Sequence, residues 1–308
     1  MTSVAAAARE TTNVPRGQLL AGFGAIFLFW GGTFLAIRYA VAEVPPLLVI
    51  AIRCAGGALI LSLWCAARGE LARSTAAQWR VAGLAGVLLF VGCHGVLAWA
   101  EQRVTSGQAA LLMTSIPLWL VLLDALARRR PPPARVLAGL ALGVLGIAVL
   151  TRGGGGWSGT LVDRVALVMS GLFWAAGSMV ARHGARPASA VQSTAMQLTA
   201  GAAAVLLGSV ALGEISGWTP ARVTPKAVGA IAFLVLCGTA LGFAAYTWLL
   251  RVTTPAAVGS YAFVNPLIAV GLAWAVGDEA ASGRTLIAAA LVVGAVLLTR
   301  ESPEGRST

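Results

Sequence analysis

Long uncharged stretches constrain this sequence more than any other feature. The ranges 19–37, 104–123, 227–250 and 252–277 contain no Asp, Glu, Lys or Arg. A helix needs about 20 mostly apolar residues to cross the roughly 30 Å hydrocarbon core of a bilayer. Strands of a membrane β-barrel alternate apolar and polar residues instead. The sequence therefore predicts an all-α integral membrane protein.

The composition supports ten membrane spans. Hydrophobic residues make up 58% of the chain and charged residues 11%, whereas soluble domains average about 45–50% and about 25%. The predicted transmembrane helices cover 19–41, 46–66, 80–100, 105–127, 135–151, 160–182, 188–213, 226–250, 253–277 and 284–300.

The basic residues are distributed as topology signals. A net charge of +11 would favour a nucleic-acid partner in a soluble protein, but here the charges lie mostly in short connections between apolar segments. If the N-terminus is cytoplasmic, most of the 22 basic residues fall on the cytoplasmic side. We therefore predict cytoplasmic tails at 1–18 and 301–308, and no nucleic-acid partner.

The two parts of the chain resemble each other. FWGGTFLAIRYA at 29–40 aligns with FWAAGSMVARHG at 173–184. RVTSGQAALLMTSIP at 103–117 aligns with RVTTPAAVGSYAFVNP at 251–266, with one residue gained. The alignment predicts two repeats of five helices, at 19–152 and 160–300, joined by a glycine-rich linker at 153–159. Chance similarity between helices rich in Ala, Gly and Leu is the alternative explanation.

An odd number of helices in each repeat has a topological consequence. The second repeat must start on the opposite side of the membrane, so the two repeats are predicted to be inverted relative to each other. Many secondary transporters are built this way, with a substrate site near the midplane where the repeats meet. Pro117 and Pro266 occupy corresponding positions in spans four and nine, and both are predicted to break their helices.

Three stretches carry a resemblance to a known family: FWGGTFLAIRYA, PPLLVIAIRCAGGALI and RVTTPAAVGSYAFVNPLIAVGLAWAVGDEA. With their order and spacing, they make nearly all of 19–300 resemble the drug/metabolite transporter superfamily, in its EamA-type branch with ten spans. The resemblance implies a central cavity surrounded by spans one to four and six to nine. It also implies a bacterial inner-membrane protein similar to exporters of amino acids and related metabolites. Fold carries over between such relatives better than cargo.

Polar and aromatic side chains within the spans are the candidates for lining that cavity. Trp30, Thr33 and Phe34 share one helix face, and Trp174 and Ser178 are their counterparts in the second repeat. The two tryptophans are predicted to face each other, and packing against neighbouring small residues is the alternative. The full candidate set is Trp30, Thr33, Phe34, His94, Trp99, Met113, Ser115, Trp174, Ser178, Tyr246, Tyr261 and Asn265. Such a cavity suits a neutral or zwitterionic molecule with an apolar or aromatic side chain.

Two arginines are predicted to lie within spans, where an ionisable residue is costly and is a functional candidate by default. Arg38 lies near the outer end of span one, so it either extends to the interface or binds a substrate carboxylate. Arg53 lies less than two turns into span two, where it either bonds helix carbonyls or contacts the same carboxylate.

The acidic residues fall at span ends or in loops, which disfavours coupling through a buried carboxylate. Glu101 is placed at the outer mouth of span three. His94 is the one titratable side chain near the membrane interior that could switch near neutral pH, and a packing role is the alternative. The sequence therefore favours facilitated export, with a proton-coupled drug/metabolite carrier or a sugar-nucleotide exchanger as alternatives.

An enzyme is the rival class of function, together with a receptor scaffold. The sequence contains no HExxH motif, no GxSxG motif and no paired carboxylates within the spans, and Cys54, Cys65, Cys93 and Cys237 show no metal-ligand spacing. We therefore predict no enzymatic activity, no cofactor and no metal. The expected partners are a small-molecule substrate and membrane lipid, and the chain is expected to be a monomer or a homodimer.

Overall fold

The computed structural model describes residues 14–129, 131, 134–151, 158–253 and 261–276, with scattered positions between 283 and 294. Regular structure in this part of the chain is helical. Most of the predicted tails, nearly all of the linker at 153–159 and much of the tenth span lie outside the described residues. Seven of the described helices are long and apolar enough to cross a membrane.

The helices overlap the first nine predicted spans, and two of them contain a π-helical segment. The unbroken α-helices are α1 (Arg16–Val41), α2 (Pro46–Ala67), α5 (Ala134–Thr151), α6 (Leu161–His183), α7 (Ala190–Ala211) and α9 (Tyr261–Ala275). Helix α3 comprises Ala76–Gly86, the π-helical Val87–Gly95 and Val96–Ala100; α4 comprises Ser106–Met113 and Ile116–Arg128; α8 comprises Pro225–Phe233, the π-helical Leu234–Leu241 and Gly242–Val252.

Local sequence explains where these helices begin. Pro45 has extended backbone and Pro46 occupies the first turn of α2, where a missing N–H costs nothing. Thr75 caps α3 by accepting a hydrogen bond from the backbone N–H of Gln78, whose side chain bonds back to Thr75. Thr160 and Asp163 form the same reciprocal cap on α6.

Helices α2 and α7 end in the same way. Gly69 and Gly213 follow them with φ of 66° and 69°, a conformation that glycine adopts without steric cost. The backbone N–H of Glu70 then donates to the carbonyl of Cys65 (2.9 Å), and that of Glu214 donates to Ser209 (3.0 Å). Both helices therefore stop at a Gly-Glu pair whose backbone satisfies a terminal carbonyl.

Hydrogen bonds between connections define one end of the molecule, which we call the Glu43 end. Glu43 follows α1, and its carboxylate accepts bonds from the backbone N–H (2.6 Å) and the hydroxyl (2.7 Å) of Thr224 at the start of α8. The indole N–H of Trp218 donates to the Glu43 carbonyl (2.9 Å). Arg103, just after α3, pairs with Asp163 at the start of α6 (2.8 Å).

The opposite end, the Glu70 end, joins the connection between α2 and α3 to the start of α7. The Ser189 hydroxyl donates to the Glu70 carboxylate (2.9 Å). The Gln192 side-chain amide donates to the Ala72 carbonyl (2.5 Å) and accepts from the Ala72 N–H (3.3 Å). Helix α1 therefore runs towards the Glu43 end, whereas α6 starts there and runs away from it.

Packing across the molecule interleaves the two parts of the chain. Helix α2 packs along α7, α1 packs against α8 and α9, and α6 packs against α3 and α4. Glycines permit the close approaches: a Cβ at Gly56 would lie 2.7 Å from Val235, and one at Gly201 would lie 2.4 Å from Phe90. The large apolar side chains that remain exposed, among them Leu59, Leu63, Leu206 and Leu207, lie on outward faces, as expected for contact with lipid.

Candidate functional site

Arg53 on α2 is a charged residue buried among the described helices. Its side chain is 5% exposed, and its Nε–H donates to the hydroxyl of Thr239 on α8 (3.1 Å). Its Nη1 is buried and has no hydrogen-bond partner among the residues that the structure describes. A buried guanidinium is costly unless its donors are satisfied, so the free Nη1 is a site where a bound anion would be stabilised.

Gly238 lets three helices meet beside Arg53. A Cβ at Gly238 would lie 2.8 Å from the methyl of Thr33 on α1 and 3.9 Å from Nη2 of Arg53 on α2. Thr33 is buried, and its hydroxyl donates to the Trp30 carbonyl (2.6 Å). The indole N–H of Trp30 donates to the Gly238 carbonyl (3.1 Å). The guanidinium and the Trp30 ring are therefore neighbours across this glycine.

Trp30 is the centre of an aromatic cluster, which we call the Trp30 cluster. Its ring centroid lies 4.8 Å from that of Tyr261, 5.3 Å from Tyr246 and 5.6 Å from Phe243. Tyr246 and Phe243 lie on α8 and Tyr261 lies on α9. Two predicted candidates thus come together with Trp30, and all four rings remain partly exposed. Edge-to-face contacts such as that of Tyr261 are favourable beyond simple burial.

Trp174 occupies a separate aromatic cluster, the Trp174 cluster. The His94 ring stacks on Phe90 (5.3 Å, 22°) and meets the Trp174 ring edge-on (5.3 Å, 63°). Nδ1 of His94 bonds the Leu89 carbonyl (2.8 Å), and because a carbonyl can only accept, Nδ1 carries the proton. Within the described residues, Trp30 and Trp174 make no ring contact with each other; each packs against helices of the other half of the chain.

The two π-helical segments contain His94 of the Trp174 cluster and Thr239, which bonds Arg53. His94 bonds the carbonyl of Leu89, and the Thr239 hydroxyl donates to the carbonyl of Leu234 (2.9 Å), each five residues back along the chain. In each case a polar side chain in a widened turn bonds a main-chain carbonyl of that turn. Such segments occur frequently at functional sites.

Helix α4 is interrupted just before Pro117. Its two helical parts are separated by Thr114 and Ser115, and Ser115 Oγ is buried without a partner among the described residues. Nearby, the Ser170 hydroxyl donates to Sδ of Met113 (3.0 Å). Backbone that leaves the helix at membrane depth is tolerated where it is enclosed by protein.

Pro266 differs from Pro117, because it lies inside the continuous helix Tyr261–Ala275. The break predicted there is not seen within that range, since neighbouring helices allow a proline within a membrane helix. Next to it, Asn265 is buried, and its Oδ1 has no hydrogen-bond partner in the described part of the chain.

Other candidates lie nearer the Glu43 end. Arg38 is half-buried and donates to the backbone carbonyl of Glu101. The Trp99 ring is 38% exposed and is covered by the Arg103 guanidinium at 4.1 Å. Phe34 packs on the main apolar core, and Ser178 is half-buried on α6. The structure does not bring Trp99 into either cluster.

Sequence reasoning missed three contributors. Thr239 holds Arg53 but looked like one hydroxyl among many, and Phe243 completes the Trp30 cluster without any motif. Glu101 is fully buried and lies within electrostatic range of Arg53, although its position just after a span suggested exposure. Among the residues that the structure describes, no group of His, Cys, Asp and Glu is arranged to hold a metal ion.

Comparison with known proteins places these features in a family. The model of the EamA-like transporter family matches residues 16–152 and again 164–300. The uncharacterized inner membrane transporter YedA of Escherichia coli K12 is 30% identical over 285 residues, which cover 91% of each chain. The uncharacterized transporter YoaV of Bacillus subtilis is 20% identical over 263 residues, covering 83% of this chain and 88% of YoaV.

The fold is shared with a solved crystal structure. It superposes with a TM-score of 0.64 at 24% identity, and the match covers 92% of this chain and 97% of the other.

Proposed function

We propose a cargo and a mechanism from one established premise, which is that this chain belongs to the EamA-like transporter family. It is a multi-pass membrane protein with relatives named as transporters. Our proposal is an alternating-access exporter of small zwitterionic metabolites, above all amino acids with apolar or aromatic side chains. Transport is facilitative, and both termini are cytoplasmic.

The free Nη1 of Arg53 is the observation that carries this proposal. Thr239 occupies Nε, which leaves the Nη1 and Nη2 edge of the planar guanidinium as the edge that can meet a carboxylate. Two parallel N–H groups match the two oxygens of a carboxylate. A cargo carboxylate at this edge offsets the cost of burying the charge, so the proposal explains why an arginine is retained there.

The Trp30 cluster supports an apolar or aromatic side chain on the cargo. Trp30 and Arg53 flank the same glycine, so a carboxylate at the guanidinium places the rest of a small molecule beside partly exposed rings. Aromatic side chains provide large contact areas and favourable ring-to-ring geometry. An amino acid is the smallest cargo that uses both features.

Several paired features support two inverted five-helix repeats, at 19–152 and 160–300. Helices α1 and α6 run in opposite directions, α2 and α7 end at equivalent Gly-Glu pairs, and α3 and α8 each contain a π-helical segment. In carriers built from inverted repeats, one repeat commonly moves against the other, so that a fixed central site opens to each side of the membrane in turn. Basic residues such as Arg68, Arg73 and Arg186 lie at the Glu70 end, which favours that end as cytoplasmic.

A proton-coupled exchanger using the same site is the second candidate. The observation that favours it is the complete burial of Glu101 within electrostatic range of Arg53. A buried carboxylate in a membrane protein is a common element of proton relays.

Uptake into proteoliposomes tests the cargo. Labelled leucine, phenylalanine and tryptophan are compared with their amides and decarboxylated amines, with and without an imposed pH gradient. We expect the amino acids to move and the analogues to be excluded, and we expect Arg53→Gln to lose this discrimination while eluting as a folded protein. Equal flux of amino acids and amides in the wild type would refute carboxylate recognition, and flux that follows the pH gradient would favour the proton-coupled candidate.

A further inference from the structure

A groove opens at the Glu70 end between α2, α3 and α7. It has a volume of about 260 Å³, and its lining includes Ser62, Cys65, Ser74, Trp79, Met196 and Thr199. Pockets for small molecules usually measure about 300–1,000 Å³. This groove therefore fits part of an extended molecule better than a whole compact one.

The walls of the groove are held by specific bonds. The Gln192 side chain is 4% exposed and bonds both the N–H and the carbonyl of Ala72. The same amide donates to the Ser74 hydroxyl (3.2 Å), which in turn donates to Sδ of Met196 (3.2 Å). The connection between α2 and α3 is thereby fastened to α7, so the groove is a built feature of the fold.

The groove spans the depth at which lipid headgroups meet acyl chains. Ala190 begins α7, so Thr199 lies about 14 Å along the helix axis at 1.5 Å per residue. Trp79, one turn into α3, is 44% exposed, and tryptophan is enriched at membrane interfaces. Hydroxyls of Ser62 and Thr199 accompany apolar lining along this depth, which suits the ester region of a lipid.

Uncompensated positive charge borders the groove. Arg73 lies between two lining residues, Arg80 follows the lining Trp79, and both are exposed. Within the described residues, neither forms a salt bridge, whereas Arg68 at the same end pairs with Glu70 (3.2 Å). Two exposed arginines that are adjacent in sequence to lining residues, with no ion pair among the described residues, complement a phosphate attached to a hydrocarbon chain.

We propose that this groove binds an anionic phospholipid of the surrounding bilayer. Arg73 and Arg80 contact its phosphate, Trp79 lies beside its ester region, and part of one acyl chain occupies the space between α2, α3 and α7. The site selects phospholipids whose headgroup carries a net negative charge. It is independent of the cargo, because none of its residues belongs to the Arg53 region or to either aromatic cluster.

Lipid retention by the purified full chain tests this proposal without any cargo. The delipidated protein is titrated with phosphatidylglycerol or phosphatidylcholine, and bound lipids are counted by native mass spectrometry. We expect tighter binding of phosphatidylglycerol, reduced about fivefold by Arg73→Gln or Arg80→Gln and about 25-fold by both. Arg222→Gln, an exposed arginine at the Glu43 end, is the matched control and should bind like the wild type.

A second variant separates the groove from general surface charge. Thr199→Phe keeps both arginines and fills the lining, so it should also weaken phosphatidylglycerol binding. Equal binding of both lipids would overturn the charge recognition, and an equal loss in Arg222→Gln would show diffuse attraction instead of a site. Displacement of phosphatidylglycerol by an amino acid would make the groove a cargo vestibule and would also overturn the proposal.

Discussion

Trp30 and Trp174 occupy aligned positions in α1 and α6, yet their surroundings differ in chemistry. Trp30 donates its indole N–H to Gly238 and contacts three aromatic rings. Trp174 contacts the His94 ring, and its indole N–H has no acceptor among the described residues. Arg53, with its free donor, adjoins Gly238 on the Trp30 side and also lies within electrostatic range of His94 in the Trp174 cluster. The two tryptophans thus have different neighbours, although they occupy aligned positions in the sequence.

The difference between the two tryptophans bears on the proposed cargo, because related segments of the two halves need not bind the same chemical groups. The two halves of the chain share a Gly-Glu helix end and a widened turn, and their first helices run in opposite directions. A zwitterion has two unlike ends, so a site that binds it in one orientation cannot be symmetric. The Trp174 cluster, in which His94 is already bonded to a carbonyl, is the internal reference against which changes at the Trp30 side can be measured.

Removing the charge of Arg53 is expected to have the largest effect. Arg53→Met should lower amino acid transport about 10- to 100-fold, because a charge-assisted hydrogen bond contributes roughly 1.5–3 kcal/mol. The same change should raise the thermal unfolding midpoint, since replacing a buried charge by an apolar side chain is often stabilising by about 1–4 kcal/mol. Gln197→Met, at the aligned position of α7, is the control and should change transport little. A less stable Arg53→Met protein would contradict this account of the buried guanidinium.

A larger residue at Gly242, which packs against Trp30, should have the next largest effect. A Cβ at Gly242 would lie 2.5 Å from the indole nitrogen of Trp30, so Gly242→Ala should displace the ring and lower stability by about 1–3 kcal/mol. Thermal unfolding measures this loss. Gly229 lies on the same helix with open space around it, and Gly229→Ala should be neutral or slightly stabilising. Equal changes in stability for the two substitutions would mean that the Trp30 ring is not tightly packed against Gly242.

Conservative changes of the two tryptophans sharpen the comparison at smaller amplitude. Trp30→Phe keeps an aromatic ring but loses the bond to Gly238, which should lower stability by about 1 kcal/mol and should reduce transport because the ring is no longer fixed in position. Trp174→Phe loses no described hydrogen bond and should change transport less than about twofold. Initial rates for a single amino acid measure both variants, and a larger effect at Trp174 would reverse the assignment of the two clusters.

The smallest expected effect concerns the two hydrogen bonds between Glu43 and Thr224 at the Glu43 end. The backbone N–H and hydroxyl of Thr224 hold the pKa of Glu43 below its ordinary value of 4.5, with Lys226 adding to the shift. Because the folded pKa is lowered, the stability that it contributes is present above pH 4.5 and is lost as the pH falls through the lowered pKa. Glu43→Gln should flatten this part of the pH dependence of thermal unfolding. An unchanged pH profile would assign the acid sensitivity to other carboxylates.

Helix positions were predictable from the sequence because hydropathy and length are local properties. The range 46–66 became Pro46–Ala67, and 160–182 became Leu161–His183. The relation between helices was less accessible, since apolar runs do not state which faces meet in a membrane. The two tryptophans were predicted to face each other, and the structure adds that the rings each one contacts lie on helices of the other half of the chain. Thr239 and the burial of Glu101 also depend on contacts between segments distant in sequence.

The widened turns of α3 and α8 have a consequence for the register of those helices. Each π-helical segment contains more residues per turn than an α-helix. The residues after it therefore do not follow the same α-helical periodicity as the residues before it. The parts of one helix before and after the widened turn can therefore pack different faces against the other half of the chain. Removing a single residue from 234–241 would rotate everything that follows by about 100°, at 3.6 residues per turn. Phe243 and Tyr246 would then leave Trp30, so the length of this turn fixes the aromatic cluster as firmly as its side chains do.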